Sequence, residues 1–274
     1  MTPVFPDMWS MTLVRAAAGA HPLAAVAAAC TASCALGERT TFRYLVKNGQ
    51  TLDFEPTREN LQAHLAQAAG GDRIVEMVGG VTLSAEGTDP AVLSYRRDPL
   101  APGGVEDLLL LSVTAGTFDP PFLWQWLGDL ARAFGSAVAY LETYAAARFN
   151  DEGRRRAREA AEEPDMRQFL PPPNRLVREN RALADRFARA LPVNYHRSER
   201  PHCVNWANVW ADPVIDRLGR ARVEQAPWHR RKPLAGGLLL VASPDPPDAD
   251  HPQALEALVT LAESLDLAGD EAPP

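Results

Sequence analysis

An acidic loop follows a short apolar segment near the end of the chain. Residues 238–242 are all apolar and predict a buried strand, and the ten residues after them hold Asp245, Asp248 and Asp250 among four prolines. Carboxylates on a loop at the end of a strand can bind a metal ion, take part in catalysis or contact a basic partner. The prolines stiffen such a loop, which lowers the entropic cost of binding. Residues 243–251 are therefore the first candidate functional segment.

A cysteine and two histidines raise the alternative of an enzyme. Cys203 follows His202, and a nucleophilic thiol would take its base from His251 or from an aspartate of the 243–251 loop. His202 itself would not face the thiol, because adjacent residues on a helix point in different directions. The same loop holds oxygen ligands suited to Ca²⁺ or Mg²⁺, although without the spacing of an EF-hand. The alternative function is a Cys- or metal-dependent hydrolase with its site at this loop.

Motif searches favour a protein without catalytic machinery. The sequence contains no G-x-S-x-G, no phosphate-binding G-x-x-x-x-G-K-[ST], no G-x-G-x-x-G, no H-E-x-x-H and no paired C-x-x-C. The six histidines are scattered, and Cys30 and Cys34, four residues apart, have no nearby set of metal ligands. We therefore expect no enzymatic activity, no cofactor and no bound metal.

Trp228 and Arg230 form a second candidate contact. They belong to the segment PWHRRK, which is too polar to lie wholly in a core. Tryptophan and arginine dominate binding hot spots, although a tryptophan ring fits a position in the hydrophobic core equally well. Trp206 and Trp210 are expected in the core. The predicted partner-binding residues are Asp245, Asp248, Asp250, His251, Trp228 and Arg230.

Composition and charge restrict the classes of function. The chain has 274 residues, with 28 basic and 35 acidic side chains and a net charge of −7. That balance argues against general nucleic-acid binding, which requires a positive face. Three cysteines suit a reducing compartment. The alanine-rich residues 16–36 lack the basic start and strongly apolar core of a secretory signal and are too weakly hydrophobic for a membrane span, so we expect a cytoplasmic protein.

The order of predicted elements favours an α+β fold, with a mainly antiparallel sheet, helices packed on it and a long helical middle segment. Residues 107–116 read as a central strand because their four leucines suggest burial on both faces. The predicted strands are 11–17, 40–49, 74–84, 91–97, 107–116 and 237–242, and the predicted helices are 22–35, 57–70, 121–163, 202–219 and 252–267.

Three segments differ in composition. Residues 1–147 read as an N-terminal α+β part, 148–200 as an arginine-rich helical connector and 201–274 as a C-terminal α/β part, and all three would fit in one domain. The connector has 13 arginines against 9 acids around three consecutive prolines. A solvated helix pair joined by a stiff loop explains it better than a nucleic-acid arm, which would be more one-sided.

The C-terminal third resembles bacterial polymorphic-toxin immunity proteins of the immunity protein 52 family. The resemblance rests on NWANVWADPVIDRLG and, after a turn-rich gap, GGLLLVASPDPPDADHPQALEALVTLAESLDLAG, with a weaker likeness in LLLLSVTAGTF. It covers about 80 residues and leaves the arginine-rich middle unmatched. Ser243-Pro244 stands where such proteins tend to carry Thr-Asp, and His251 stands where Asn is common.

The resemblance implies a non-enzymatic protein that binds and neutralises a cognate toxin. The toxin would be a restriction-endonuclease-like nuclease, including effectors of type VI secretion systems. A nuclease presents a basic surface to its substrate, so an acidic inhibitor would be steered to it. An effector-loading chaperone is a further alternative, since it would also be acidic and free of motifs.

Overall fold

The structure is a computed structural model, and its residues form two compact units, Met1–Ala139 and Tyr140–Pro274. The residues that it describes are 8–17, 22–35, 41–47, 50–53, 57–60, 62–63, 81–86, 91–98, 105–114, 118–144, 146–147, 149–150, 178–191, 199–201, 203–247 and 251–267.

An antiparallel sheet is the centre of the first unit. Its described strands are β1 (Met8–Ala16), β2 (Thr41–Lys47), β3 (Gln50–Asp53), β4 (Val81–Glu86), β5 (Ala91–Asp98) and β6 (Glu106–Thr114), in the spatial order β3-β2-β4-β5-β6-β1. Leu109 of β6 lies opposite Leu13 of β1 on one side and Tyr95 of β5 on the other. Its neighbours Leu108 and Leu111 are buried too. The predicted central strand is therefore confirmed.

Among the described residues of the first unit, the helices α1 (Leu23–Ala35) and α2 (Pro120–Phe134) pack against each other. Apolar residues at helical spacing give α2 one buried face. A proline starts α2, where no N–H partner is needed, and Gly135 ends it in the left-handed conformation with φ of 70°. The Arg15 guanidinium donates a 3.0 Å hydrogen bond to the carbonyl oxygen of Phe134, one of the last groups of the helix without an internal partner.

A buried carboxylate joins β5 to β6. Asp107 accepts hydrogen bonds from Arg97 at 2.8 and 3.1 Å and from the Tyr95 hydroxyl at 2.9 Å. Burial and the neighbouring Asp107 carboxylate raise the pKa of Tyr95, and the same carboxylate raises the pKa of Arg97. A charge this deeply buried needs both partners, so the cluster fixes the register of the two strands.

The second unit contains β7 (Val138–Thr143), whose first two residues belong to the first unit, with β8 (Ala207–Ala211), β9 (Arg230–Leu234) and β10 (Gly237–Val241). Their spatial order is β7-β8-β10-β9, and β10 pairs antiparallel with β8 and β9. A Cβ on Gly237 would clash with the carbonyl oxygen of Trp210, so only glycine permits this close approach of β10 to β8.

The second unit also contains the helices α3 (Arg181–Ala190), α4 (Asp212–Leu218), α5 (Arg220–Gln225) and α6 (Pro252–Leu265). α3 and α6 pack together, and Arg186 pairs with Glu256 at 2.6 Å and with Glu263 at 2.7 Å across their exposed side. Glu263 has its pKa lowered chiefly by its hydrogen bond with Arg186. α3 falls in the predicted arginine-rich connector, most of which lies outside the described residues.

The α+β prediction is confirmed, since every pairing with a described register is antiparallel and helices pack beside the strands. The long middle helix begins where predicted but ends at Phe134, and β7 follows it. β7 is buried on both faces, so its apolar run has no strand period to distinguish it from a helix. The helix predicted at 202–219 is wrong in its first half, which forms β8 before α4 begins at Asp212.

Candidate partner-binding surface

The backbone of the acidic loop is fixed by buried hydrogen bonds at both of its described ends. The indole N–H of Trp206 donates to the carbonyl oxygen of Ser243 at 3.0 Å, and the Ser243 hydroxyl donates to the carbonyl oxygen of Asp245 at 2.7 Å. The Thr143 hydroxyl donates to the carbonyl oxygen of Pro247 at 2.6 Å. With prolines at 244, 246 and 247, residues 243–247 therefore have little conformational freedom left.

A carboxylate of this fixed loop and the aromatic ring that follows β7 both lie near the surface. Pro244 is exposed, Asp245 and Pro246 are half-buried, and Pro247 is buried beneath them. Tyr144 is 55% exposed and directly follows Thr143, the residue that holds Pro247. We define the candidate surface as residues 243–247 together with Tyr144.

Tyr144 was missed by the sequence analysis. Its segment, AVAYLETYAAARF, read as the continuation of a helix, so nothing in the sequence singled out this ring from its neighbours. The strand β7 ends at Thr143, whose hydroxyl accepts a 2.9 Å hydrogen bond from the Ala146 amide. Tyr144 is thus the first helical residue after the strand and lies exposed outside the core, and only this geometry identifies it as a candidate.

Asparagine side chains form a buried network in the same unit. Asn150 donates to the side-chain oxygen of Asn205 at 2.7 Å and to Glu142 at 3.3 Å. The side chain of Asn208 accepts a hydrogen bond from the backbone amide of Asn205 at 3.1 Å and donates one to the backbone carbonyl oxygen of Asn205 at 2.8 Å. The network fixes the segment before β8, which contains Trp206. Trp206 in turn holds the start of the acidic loop through its hydrogen bond to Ser243.

Cys203 belongs to this network and lies far from solvent. It is 1% exposed, and its sulfur lies 3.4 Å from the amide nitrogen and 3.7 Å from the oxygen of the Asn205 side chain. A catalytic thiol needs a partly exposed, electropositive environment, so this geometry favours a packing role. His202, the neighbour considered in the hydrolase alternative, lies outside the described residues.

Trp228 is packed inside the second unit. It is 8% exposed, its indole N–H donates to the carbonyl oxygen of Val223 at 2.9 Å, and its ring meets Trp210 edge to face at 5.5 Å. Of the two readings of its sequence, this placement favours the core. Arg230, by contrast, is exposed at the start of β9 and lies opposite Val241, two residues before Ser243.

Two predicted contacts, Asp248 and Asp250, lie outside the described residues, and His251 is half-buried at the position before α6. Its carbonyl oxygen accepts a 3.0 Å hydrogen bond from the Ala254 amide. Within the described ranges, no three His, Cys, Asp or Glu side chains are grouped to hold a metal ion. The structure thus ties the segment of Tyr144 to the loop of Asp245 through Thr143 and Pro247, and it packs Trp228 against Trp210.

Together the fold and this surface describe an α+β protein with a rigid acidic loop at the end of a strand hairpin. Over the same described ranges, no helix has both the length and the apolar character to cross a bilayer.

Comparison with known proteins gives a weak structural likeness and no matching family. No protein-family model matches the chain, and no curated protein matches it either. The chain is similar to a solved structure, the Pseudomonas aeruginosa T6SS protein PA0821, with a TM-score of 0.49 and 14% identity over 97% of this chain and 85% of that one. A likeness of that size carries no functional conclusion. The resemblance to immunity protein 52 stays a prediction.

Proposed function

We propose that this chain is a non-enzymatic immunity protein that binds and neutralises a cognate bacterial toxin, through residues 243–247 and Tyr144. The observation that carries the proposal is the loop backbone, held from both ends by the hydrogen bonds of Trp206 and Thr143. A loop fixed before its partner arrives loses little entropy on binding.

The chemistry of the surface suits a basic partner protein. Tyrosine gives a large, rigid contact area with a polar end, which is why it is enriched at binding hot spots. Asp245 gives a negative charge on the loop that Thr143 holds, and the chain as a whole has a net charge of −7. A nuclease presents a basic surface to the phosphates of its substrate, so long-range attraction would speed the encounter.

The type of toxin comes from the sequence resemblance. The matching C-terminal segments resemble those of immunity proteins whose partners are restriction-endonuclease-like toxins, including effectors of type VI secretion systems. The buried thiol of Cys203 supports binding over the hydrolase alternative, since a substrate would not reach it.

The test is co-expression with the product of the adjacent reading frame, scored by survival of the cells and by co-purification. We expect the wild-type chain to protect and to co-purify, and Tyr144→Ala combined with Asp245→Asn to weaken both. The control combines Val105→Ala and Glu224→Gln, which alter an exposed apolar and an exposed acidic residue elsewhere.

Each other outcome would count against the proposal. Co-purification without protection would indicate a loading chaperone, and protection that survives loss of complex formation would indicate an enzyme. If the test and control variants weaken protection and co-purification equally, residues 243–247 and Tyr144 are not the binding surface.

A further inference from the structure

The strand β9 is a basic edge on an otherwise acidic protein. It is the last strand in the order β7-β8-β10-β9, so one side of it carries no neighbour among the described strands. Arg230, Arg231, Lys232 and Pro233 are all exposed, although successive residues of a strand face opposite sides of the sheet. Both faces of β9 are therefore open to solvent along this basic run.

Two acids of α4, a helix that contacts β10, are already paired elsewhere. The amide of Asp212 donates a 2.9 Å hydrogen bond to the Gly236 carbonyl oxygen in the β9–β10 turn, but its carboxylate lies 2.7 Å from Arg220. Asp216 also pairs with Arg220, at 2.8 Å. In the parts of the chain that the structure describes, no ion pair joins Arg231 or Lys232 to an acid.

Pro233 limits what can dock on this edge. Proline within a strand is confined to positions whose nitrogen faces away from the ladder, so Pro233 and Arg231, two residues apart, direct their backbone groups to the open side. Pro233 has no N–H to offer, so an extended segment beside β9 would lack at least one backbone hydrogen bond there. Side-chain charge must supply most of the attraction.

We propose that β9 binds an extended acidic segment of a partner protein. Such a segment has side chains that alternate with the same period of two as those of β9, so its carboxylates can reach the Arg231 side and the Lys232 side together. Guanidinium groups bind carboxylates through paired hydrogen bonds, which favours this chemistry further. The surface is distinct from residues 243–247 and Tyr144, and the inference does not require the partner to be a toxin.

Other anionic ligands fit this edge less well. A flat membrane would meet the charges on one face of β9 only. A nucleic acid would extend beyond the three cations and be repelled by a chain whose net charge is −7. Three residues of a strand span only about 7 Å, which matches a few residues of an acidic peptide.

The experiment titrates the full chain with octaglutamate, oligothymidylate and phosphatidylserine vesicles at low ionic strength. Binding is followed by NMR at the indole N–H of Trp228, which precedes this strand by two residues and is assigned with Trp228→Phe. We expect saturable shifts with octaglutamate, weakened about tenfold by Arg231→Glu with Lys232→Glu. Arg178→Glu with Arg181→Glu, an exposed pair with the same charge change, should leave the shifts intact.

Three results would overturn the inference. One is the absence of a saturable shift with octaglutamate, and another is equal weakening by the two charge-reversed pairs. The third is binding of oligothymidylate or vesicles at least as tight as that of octaglutamate, which would assign the edge to a nucleic acid or a membrane. If the NMR spectrum shows that the double glutamate variant is unfolded, Arg231→Gln with Lys232→Gln provides the same comparison without added charge repulsion.

Discussion

The Thr143 hydroxyl donates a 2.6 Å hydrogen bond to the carbonyl oxygen of Pro247, 104 residues further along the chain. This contact ties the end of β7 to the loop after β10, and it places exposed Tyr144 next to the loop that carries Asp245.

Thr143→Val should destabilise the protein and weaken partner binding together. The substitution keeps the shape of the side chain but leaves the Pro247 oxygen and the Ala146 amide without their partner, at a cost of about 1–3 kcal/mol in the free energy of unfolding. Urea unfolding measures this cost. Thr143→Ser keeps the hydroxyl and should lose much less, so equal losses in the two variants would contradict the role of the hydrogen bond.

Cys203→Ser should leave toxin protection intact. The thiol is buried against Asn205, and a hydroxyl can make the same contacts, so we expect a loss of about 1 kcal/mol in stability and no loss of function. The measurement is cell survival alongside thermal unfolding of the purified variant. A well-folded variant that no longer protects would favour the hydrolase alternative.

Gly237→Ala should disrupt the β8–β10 pairing more than Gly236→Ala disrupts the adjacent turn. A Cβ at 237 would press on the Trp210 carbonyl oxygen, whereas at 236 it meets nothing within 4 Å and carries only the strain of φ 83°. That strain costs about 1–2 kcal/mol. Urea unfolding ranks the two variants. A smaller loss of stability for Gly237→Ala than for Gly236→Ala would show that β8 and β10 move apart to accept the added methyl group at little cost.

The hydrogen bond between Tyr95 and Asp107 should make stability fall at high pH. The pKa of Tyr95 is raised, first by burial and then by Asp107, so the folded state holds the phenolic proton more tightly than the unfolded state does. The resulting stability is complete below the ordinary pKa of about 10 and is lost as pH rises above it.

Tyr95→Phe should remove part of this alkaline loss, while Tyr144→Phe, at an exposed tyrosine, should retain it. Unfolding free energies at neutral pH and above about pH 10 provide the comparison. The same pH dependence in the Tyr95 variant and the wild type would contradict the assignment.

Local patterns explain which parts of this structure could be predicted from the sequence. Four consecutive leucines predicted β6 as a central strand because a strand buried on both faces is apolar throughout. Apolar residues at helical spacing predicted α6 because a helix buried on one face shows that period. β9 has no such signature, since its cations are exposed on both faces and its strand conformation comes from pairing with β10. The loop at 243–247 was predicted as a functional segment, but Tyr144 depends on a contact between distant parts of the chain.

Association kinetics test the central claim most directly. The variant changes Asp245, Asp248 and Asp250 to Asn and is mixed with the cognate toxin in a stopped-flow instrument at low and high ionic strength. Exposed ion pairs contribute up to about 1 kcal/mol each, so the account predicts slower association of the variant at low salt and a wild-type rate that falls as salt rises. Equal association rates for the variant and the wild type at low salt would contradict binding through the acidic loop.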